Sequence, residues 1–85
     1  MIEQSKKILV TGGASGIGAA ICRRMSDRDS HFLVHTRANK AGLEKTIRDI
    51  EKNGGRGNAE LADLAVKGAA RLLIQRAIDV LGGLD

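Results

Sequence analysis

Four glycines follow a short apolar run near the start of the chain, at positions 12, 13, 16 and 18. The run, residues 7–10, is rich in branched side chains, as in a parallel strand that is covered on both faces. A helical pattern begins directly after the glycines, with Ile17, Ile21 and Met25 at spacings of four and Ala20 in the same stripe. This arrangement predicts free backbone N–H groups and the positive end of a helix at one point. A phosphate is the group that binds there.

The glycines of this turn differ in what their missing side chains allow. Gly12 can adopt the tight backbone that leaves the strand, and Gly16 has no Cβ to hold a pyrophosphate away from the main chain. Gly18 lies on the first helical turn and lets the helix pack close to the strand. The hydroxyl of Ser15 either binds a phosphate or caps the helix, and both roles stay open. No Gly-Lys-Ser/Thr follows, so the turn is not a Walker loop.

The pattern of residues 11–18, Thr-Gly-x-x-x-Gly-x-Gly, closely resembles the cofactor turn of the short-chain dehydrogenase/reductase family. The resemblance continues through Arg37, Asp63-Leu64 and the closing Gly-Gly-Leu-Asp of residues 82–85. It implies a nicotinamide-dependent oxidoreductase with a doubly wound fold. It also implies that Asp63, followed by the aliphatic Leu64, holds the adenine of the cofactor.

The same resemblance implies where catalysis would lie. Members of the family are longer than this chain of 85 residues, and they use an Asn, a Ser and a Tyr-x-x-x-Lys pair downstream of the glycine turn. Hydride transfer needs a proton donor near the carbonyl oxygen. This chain contains no tyrosine. We therefore assign no catalytic residue, and we expect the 85-residue chain alone to be inactive as an enzyme.

Strand and helix patterns alternate three times along the chain. His31–His35 is predicted as the second strand, and a helix with Asn39 as its N-cap follows until the glycines at 54 and 55. A weaker strand is expected around residues 57–64, and a last helix from near Ala65 to about Leu81. The buried stripe expected of the second helix is Leu43, Ile47 and Ile50, and that of the last helix is Val66, Ala70, Leu73, Ala77, Val80 and Leu81.

This alternation predicts the fold class, an α/β protein with a partial doubly wound (Rossmann) parallel sheet of three strands and three helices. Residues 1–85 form one domain, which ends before a fourth strand. In the doubly wound order the first strand is central and pairs with the fourth. Without that neighbour, Ile8 to Val10 form an exposed edge, from which we expect self-association.

The choice of cofactor depends on the end of the second strand. An acidic residue about 20 positions after the glycine turn binds the adenosine ribose of NAD. Counting from Gly16 leads to Thr36, which is not acidic and is expected to pack at the strand end, and Arg37 follows. A guanidinium at that position can bind a ribose 2′-phosphate, so NADP is preferred and NAD is less favoured. The alternative is a solvated surface arginine.

Asp63 and three other side chains also have two interpretations. Asp63 either contacts the cofactor at the end of the third strand or serves as N-cap for a helix beginning at Ala65, or both. His31 and His35 share one side of a strand, have no acidic or thiol neighbours at metal-ligand spacing, and are interpreted as ordinary strand residues. Cys22 lies beside Arg23, which would lower its pKa slightly, but a lone helical thiol is usually inert.

Composition and net charge narrow the remaining functional classes. The net charge of +4 is spread along the chain, and neither tyrosine nor tryptophan is present for base stacking, so nucleic-acid binding has no support. A single cysteine excludes an internal disulfide and fits a reducing compartment. Neither a signal peptide nor a membrane span is indicated. A cytoplasmic protein is expected.

These observations predict the NADP(H)-binding amino-terminal part of a short-chain dehydrogenase/reductase, which acts on a carbonyl or alcohol substrate when complete and is similar to 3-oxoacyl-carrier-protein reductases. The alternatives are a free-standing nucleotide-binding or regulatory module and a remnant without function. No metal site is expected. The residues assigned to the cofactor are Gly12, Ser15, Gly16, Ile17, Gly18, Arg37, Asp63 and Leu64.

Overall fold

The computed structural model describes residues 6–84, in which strands and helices alternate as predicted. The six elements are β1 (Lys6–Thr11), α1 (Gly16–Met25), β2 (Ser30–Thr36), α2 (Lys40–Lys52), β3 (Arg56–Leu61) and α3 (Ala69–Leu81).

The three strands form one parallel sheet in the order β1-β2-β3. Ile8 pairs with Phe32 and Val10 with Val34, so the apolar residues of β1 and β2 are in register. All seven residues of β2 are buried, as expected of a central parallel strand. The predicted partial doubly wound sheet, with three strands and three helices, is confirmed.

Two cores lie on opposite faces of the sheet because successive strand residues point to opposite faces. Phe32 and Val34 face α1 and α2, where they pack in one cluster with Leu43 and Ile50. Leu33 points the other way and packs under α3. Its buried partners there are Leu73, Ala77 and Leu81. Each face therefore has its own apolar layer, which fixes how the helices sit over the strand ends.

Helix α2 agrees with the sequence pattern along its whole length. The Asn39 side chain accepts a hydrogen bond from the Gly42 N–H at 3.0 Å, which makes it the expected N-cap. Leu43 and Ile50 are buried, and Ile47 packs against the same core. The helix ends before Gly54, whose φ of +91° is a conformation that glycine adopts without strain.

The stripe predicted for α1 faces outwards, and that prediction is wrong. Ile17, Ile21 and Met25 are 80%, 41% and 42% exposed, whereas the small residues Ala19 and Cys22 are buried. A Cβ at position 18 would collide with the carbonyl oxygen of Gly12, so the helix approaches the turn that follows β1 very closely at this point. Only small side chains fit into the narrow space that remains.

The third helix begins four residues later than predicted, at Ala69 instead of Ala65. Asp63 closes a turn first, because its Oδ1 accepts from the Ala65 N–H at 2.9 Å and its carbonyl accepts from the Val66 N–H at 3.0 Å. Gly68, with φ +84°, then occupies the N-cap position. The outer members of the predicted stripe, Val66, Ala70 and Val80, are exposed, and the buried ones are Leu73, Ala77 and Leu81.

Candidate functional site

The glycine turn offers open space beside its main chain at two points. Gly12 and Gly16 have φ values of +67° and +59°, in the region that favours glycine. An ideal Cβ built on either residue meets no atom within 4 Å, so both backbones face outwards. A ligand can therefore approach the main chain directly at these two residues.

The turn is held in place by contacts from β2 and α2. The Gly13 N–H donates to the His35 carbonyl at 2.9 Å, and the Thr46 hydroxyl donates to the Gly13 carbonyl at 2.7 Å. A Cβ at position 13 would collide with the Val34 side chain, and one at Gly42 with the Ala14 carbonyl. Both polar groups of the Gly13 backbone are thus satisfied by residues distant in sequence.

Sequence reasoning missed Thr46 and Gly42 as parts of this site. A signal for Thr46 was present, since it falls between Leu43 and Ile50 on the apolar stripe of a helix whose lysine, arginine and glutamate side chains face water. A hydroxyl on a buried stripe needs a partner inside the protein. Its partner, the Gly13 carbonyl, could not be read from local spacing.

The turn opens on the N-terminus of α1. Ser15 is the N-cap residue by position, with extended backbone, but its side chain makes no capping hydrogen bond. The first intrahelical bond runs from the Ala19 N–H to the Ser15 carbonyl at 3.4 Å, so the N–H groups of the preceding residues lie outside the helical ladder. The first turn of α1 contains no acidic residue. The local field there favours an anion.

Arg37 and Asp63 form a second polar group at the ends of the next two strands. Arg37 directly follows β2, and its Nε lies 3.7 Å from Oδ2 of Asp63, in the loop after β3. Their side chains are 78% and 41% exposed, and such an ion pair contributes only about 0–1 kcal/mol. Both side chains can therefore exchange this contact for one with a ligand. Asp63 is not the N-cap of α3, because its carboxylate caps the preceding turn instead.

The topology brings the two groups to one edge of the sheet. The glycine turn, Arg37 and Asp63 follow β1, β2 and β3 in that order, and the three strands are parallel. Ligands bind at this carboxyl edge in open α/β sheets. Leu64 lies beside Asp63 and is 38% exposed, and Thr36 is buried at the strand end.

The two histidines and the cysteine make contacts that are typical of structural residues. A ring nitrogen of His31 lies 2.8 Å from the Asn58 side-chain oxygen, and that of His35 lies 2.7 Å from the Ala62 carbonyl. Residues 6–84 contain no cluster of three side chains able to hold a metal ion. Burial raises the pKa of the Cys22 thiol to about 11; Arg23 lowers this pKa as expected, but its effect is smaller than that of burial. A thiol that stays protonated is a poor nucleophile.

Helix length gives one more finding. None of the helices within residues 6–84 is long and apolar enough to cross a membrane.

A parallel α/β sheet whose first strand leads through a glycine turn into a helix N-terminus defines the Rossmann class of proteins. The model of the family described as short chain dehydrogenase matches residues 6–85. The chain therefore belongs to the short-chain dehydrogenase family, whose members are oxidoreductases that bind nicotinamide cofactors.

Individual relatives agree with this assignment. The 3beta-hydroxysteroid dehydrogenase 1 of Eggerthella lenta is 32% identical over 82 residues, which is 96% of this chain and 31% of that protein. Glucose 1-dehydrogenase 2 of Bacillus subtilis is 30% identical over 80 residues, 94% of this chain and 31% of that protein. A short chain dehydrogenase from Burkholderia cenocepacia, crystallised in complex with NADP, superposes with a TM-score of 0.87 at 35% identity, covering 98% of this chain and 34% of that one. The chain thus spans about a third of the length of these relatives.

Proposed function

We propose that this chain binds NADP(H) and is the cofactor-binding part of a short-chain dehydrogenase that moves hydride between the nicotinamide and a carbonyl or alcohol. One observation supports this most directly. The open backbone at Gly12 and Gly16 meets the N-terminus of α1, where the Ser15 hydroxyl makes no capping bond. Backbone N–H groups, a helix dipole and a hydroxyl at one point suit a pyrophosphate.

Each proposed contact has a chemical reason. The backbones of Gly12, Gly16 and Gly18 would bind the pyrophosphate. The Ser15 hydroxyl would donate a hydrogen bond to one of its oxygens. The Asp63 carboxylate would accept from the adenine amino group. Two apolar side chains, Ile17 and Leu64, are exposed beside these groups and would cover the faces of the bound cofactor.

The preference for NADP over NAD depends on Arg37. Its guanidinium is largely exposed, and among residues 6–84 it is held only by the surface pair with Asp63. A charge-assisted hydrogen bond to a 2′-phosphate contributes about 1.5–3 kcal/mol, more than the roughly 0–1 kcal/mol of that pair. No acidic residue follows β2 directly to favour an unphosphorylated ribose. The Burkholderia relative bound to NADP supports the same choice.

The complete enzyme would supply the catalytic groups from residues outside this chain. The chain has no tyrosine, and we assign none of its side chains as the proton donor for the carbonyl oxygen. Its own part is to bind the cofactor at the carboxyl edge of the sheet and to orient it. We propose a substrate similar to those of 3-oxoacyl-carrier-protein reductases, and a cytoplasmic location.

A second candidate is a nucleotide-binding module that works without catalysis. It is favoured by the two apolar cores, which the described residues 6–84 form on both faces of the sheet. Nucleotide binding by the isolated chain would be expected of both candidates. If the chain folds but does not bind nucleotide, both candidates fail, and the remaining interpretation is a remnant without function.

The test compares NADPH and NADH binding by isothermal titration calorimetry. Arg37→Ala should weaken NADPH binding about 10-fold or more, the equivalent of the charge-assisted bonds it loses, and leave NADH binding nearly unchanged. Arg71→Ala, at an exposed arginine of α3, is the matched control and should change neither. Asp63→Ala should weaken both cofactors alike. Equal losses of NADPH and NADH affinity in Arg37→Ala would contradict the proposed preference.

A further inference from the structure

The third strand, β3, lies at one edge of the sheet. Within residues 6–84 it pairs with β2 and with no other strand. In the doubly wound order 3-2-1-4-5-6 the strand in this position is outermost, so a longer polypeptide of the same fold leaves this edge open as well. The edge at β1 differs, because in that order its far side pairs with a fourth strand of the same chain. The edge at which we expect the self-association predicted from the sequence is therefore β3.

Alternate residues of β3 direct their main-chain groups away from the sheet. The Ala62 N–H donates to the Thr36 carbonyl of β2 at 3.2 Å, so the main-chain groups of Ala62 point towards β2. Successive residues of a strand direct these groups to opposite sides. Those of Leu61, Ala59 and Gly57 therefore point to the open edge, where a further strand can bind them.

The side chains of β3 carry opposite charges at matching positions. Arg56 and Glu60 lie two residues before and two residues after Asn58, so all three side chains share one face of the sheet. Glu60 accepts a hydrogen bond from Arg76 at 3.1 Å, which shows that this is the face towards α3. The strand thus presents one positive and one negative charge symmetrically about its centre.

We propose that β3 pairs antiparallel with β3 of a second copy of this chain, around a two-fold axis that is perpendicular to the sheet and passes beside Asn58. Gly57 of one copy then lies opposite Ala59 of the other, and the outward main-chain groups meet in hydrogen-bonded pairs. Arg56 lies opposite Glu60 at the non-hydrogen-bonded positions, where opposed side chains are closest. The sheet extends from three strands to six, and the self-complementary contact closes as a dimer.

Main-chain geometry and charge together select this register. A shift by one residue sets outward main-chain groups opposite inward ones, so no regular ladder forms. A shift by two residues sets Arg56 or Glu60 opposite Asn58, and both ion pairs are lost. Parallel pairing in register would set like charges opposite each other, which is destabilising.

Helix α2 is complementary to its own copy in the same way. Glu44 and Arg48 are exposed on this helix, and both line a shallow depression together with Gly57, Asn58 and Ala59. They therefore lie beside the centre of β3. The two-fold axis sets the two α2 helices side by side and antiparallel, so Glu44 of one copy approaches Arg48 of the other. Four ion pairs would cross the interface, and charge gives the contact its specificity.

The area of the contact indicates a transient dimer. Five paired residues span about 17 Å, and a helix layer on each face gives a side about 25 Å thick, or about 400 Å² per copy. The total of about 800 Å² lies below the size of a stable interface. We expect a dissociation constant of about 10–100 μM, which rises with salt because salt screens the ion pairs.

Sedimentation velocity of the 85-residue chain, from low to several hundred micromolar, tests the proposal. The mass should rise from 9.0 kDa towards twice that value. Arg56→Glu and Glu60→Arg should each raise the dissociation constant about tenfold or more, because two attractive pairs in each dimer become repulsive. An equimolar mixture of the two variants should dimerise again, since the two glutamates of one variant then face the two arginines of the other.

Arg71→Glu is the matched control for the change in net charge. Arg71 is exposed on α3 and lies five residues before Arg76, which places it about 140° around the helix axis from that residue and away from β3. This variant should dimerise like the original chain. Far-UV circular dichroism shows whether each variant is folded.

Four results would overturn the proposal. The first is a monomer at every concentration. A dimer that survives both charge reversals in folded protein would place the contact on another surface. A mixture of Arg56→Glu and Glu60→Arg that stays monomeric would show that the two side chains do not meet across a two-fold axis. A dimer that Arg71→Glu weakens equally would show an effect of net charge alone. NADPH titration of the same samples reports on the proposed function separately.

Discussion

The hydroxyl of Thr46 provides a sharp test of how the glycine turn is held. Its Oγ1 lies 2.7 Å from the Gly13 carbonyl oxygen and 3.1 Å from the Gly42 carbonyl oxygen, and the residue is 2% exposed. Thr46→Val preserves the shape of the side chain and removes the donor. The Gly13 carbonyl would then lose its hydrogen bond at a place that water does not reach.

The expected loss of folding free energy follows from that geometry. A buried acceptor left without its donor costs about 1–3 kcal/mol. In a domain of 60–100 residues, 1 kcal/mol lowers the melting temperature by about 4–8 °C, so Thr46→Val should melt about 4–24 °C lower. Urea unfolding followed by far-UV circular dichroism should show a lower midpoint with an unchanged slope. NADPH affinity should fall as well, because the turn loses its support from α2.

Two control variants separate the hydrogen bond from other effects. Thr46→Ser keeps the hydroxyl and should retain most of the stability. Thr11→Val makes the same chemical change at an exposed threonine and should stay within about 0.5 kcal/mol of the original chain. A Thr46→Val variant as stable as the original chain would refute the role of this contact.

Two further predictions concern stability. Gly18→Ala places a Cβ against the Gly12 carbonyl and should destabilise the chain by about 1–3 kcal/mol in thermal unfolding, whereas an unchanged melting temperature would show that α1 can shift away. The pKa of Cys22 is raised from 9.0 to about 11 in the folded chain, so the unfolded thiol ionises first and stability should fall as the pH rises from 9 to 11. The loss approaches about 1.4 kcal/mol per pH unit, and Cys22→Ala should remove that part of the pH dependence in urea titrations.

Sequence reasoning succeeded where the signal is local. Helix α2 has its cap at Asn39, its stripe and its glycine stop within one continuous stretch, and all three are found as predicted. The glycine spacing likewise placed the turn between β1 and α1. These features depend on neighbours a few residues apart, which a sequence pattern contains.

Sequence reasoning failed where a specific contact, and not the apolar period, decides the outcome. The Ile17, Ile21 and Met25 stripe of α1 has a proper helical period, yet the close approach of Gly18 to Gly12 turns the smaller residues inwards. The start of α3 depends on Asp63, whose side chain closes a turn before the helix begins. In both places a backbone contact overrides the apolar pattern.

The Thr46–Gly13 contact also bears on the order in which this chain can fold. Gly13 and Thr46 are 33 residues apart, and the turn's other anchor, the His35 carbonyl, belongs to β2. A loop of that length must close before the turn gains its full support. During synthesis, the nascent chain would therefore carry the complete glycine motif well before the turn takes its final shape. We expect competence to bind nucleotide to arise only after α2 has left the ribosome and docked.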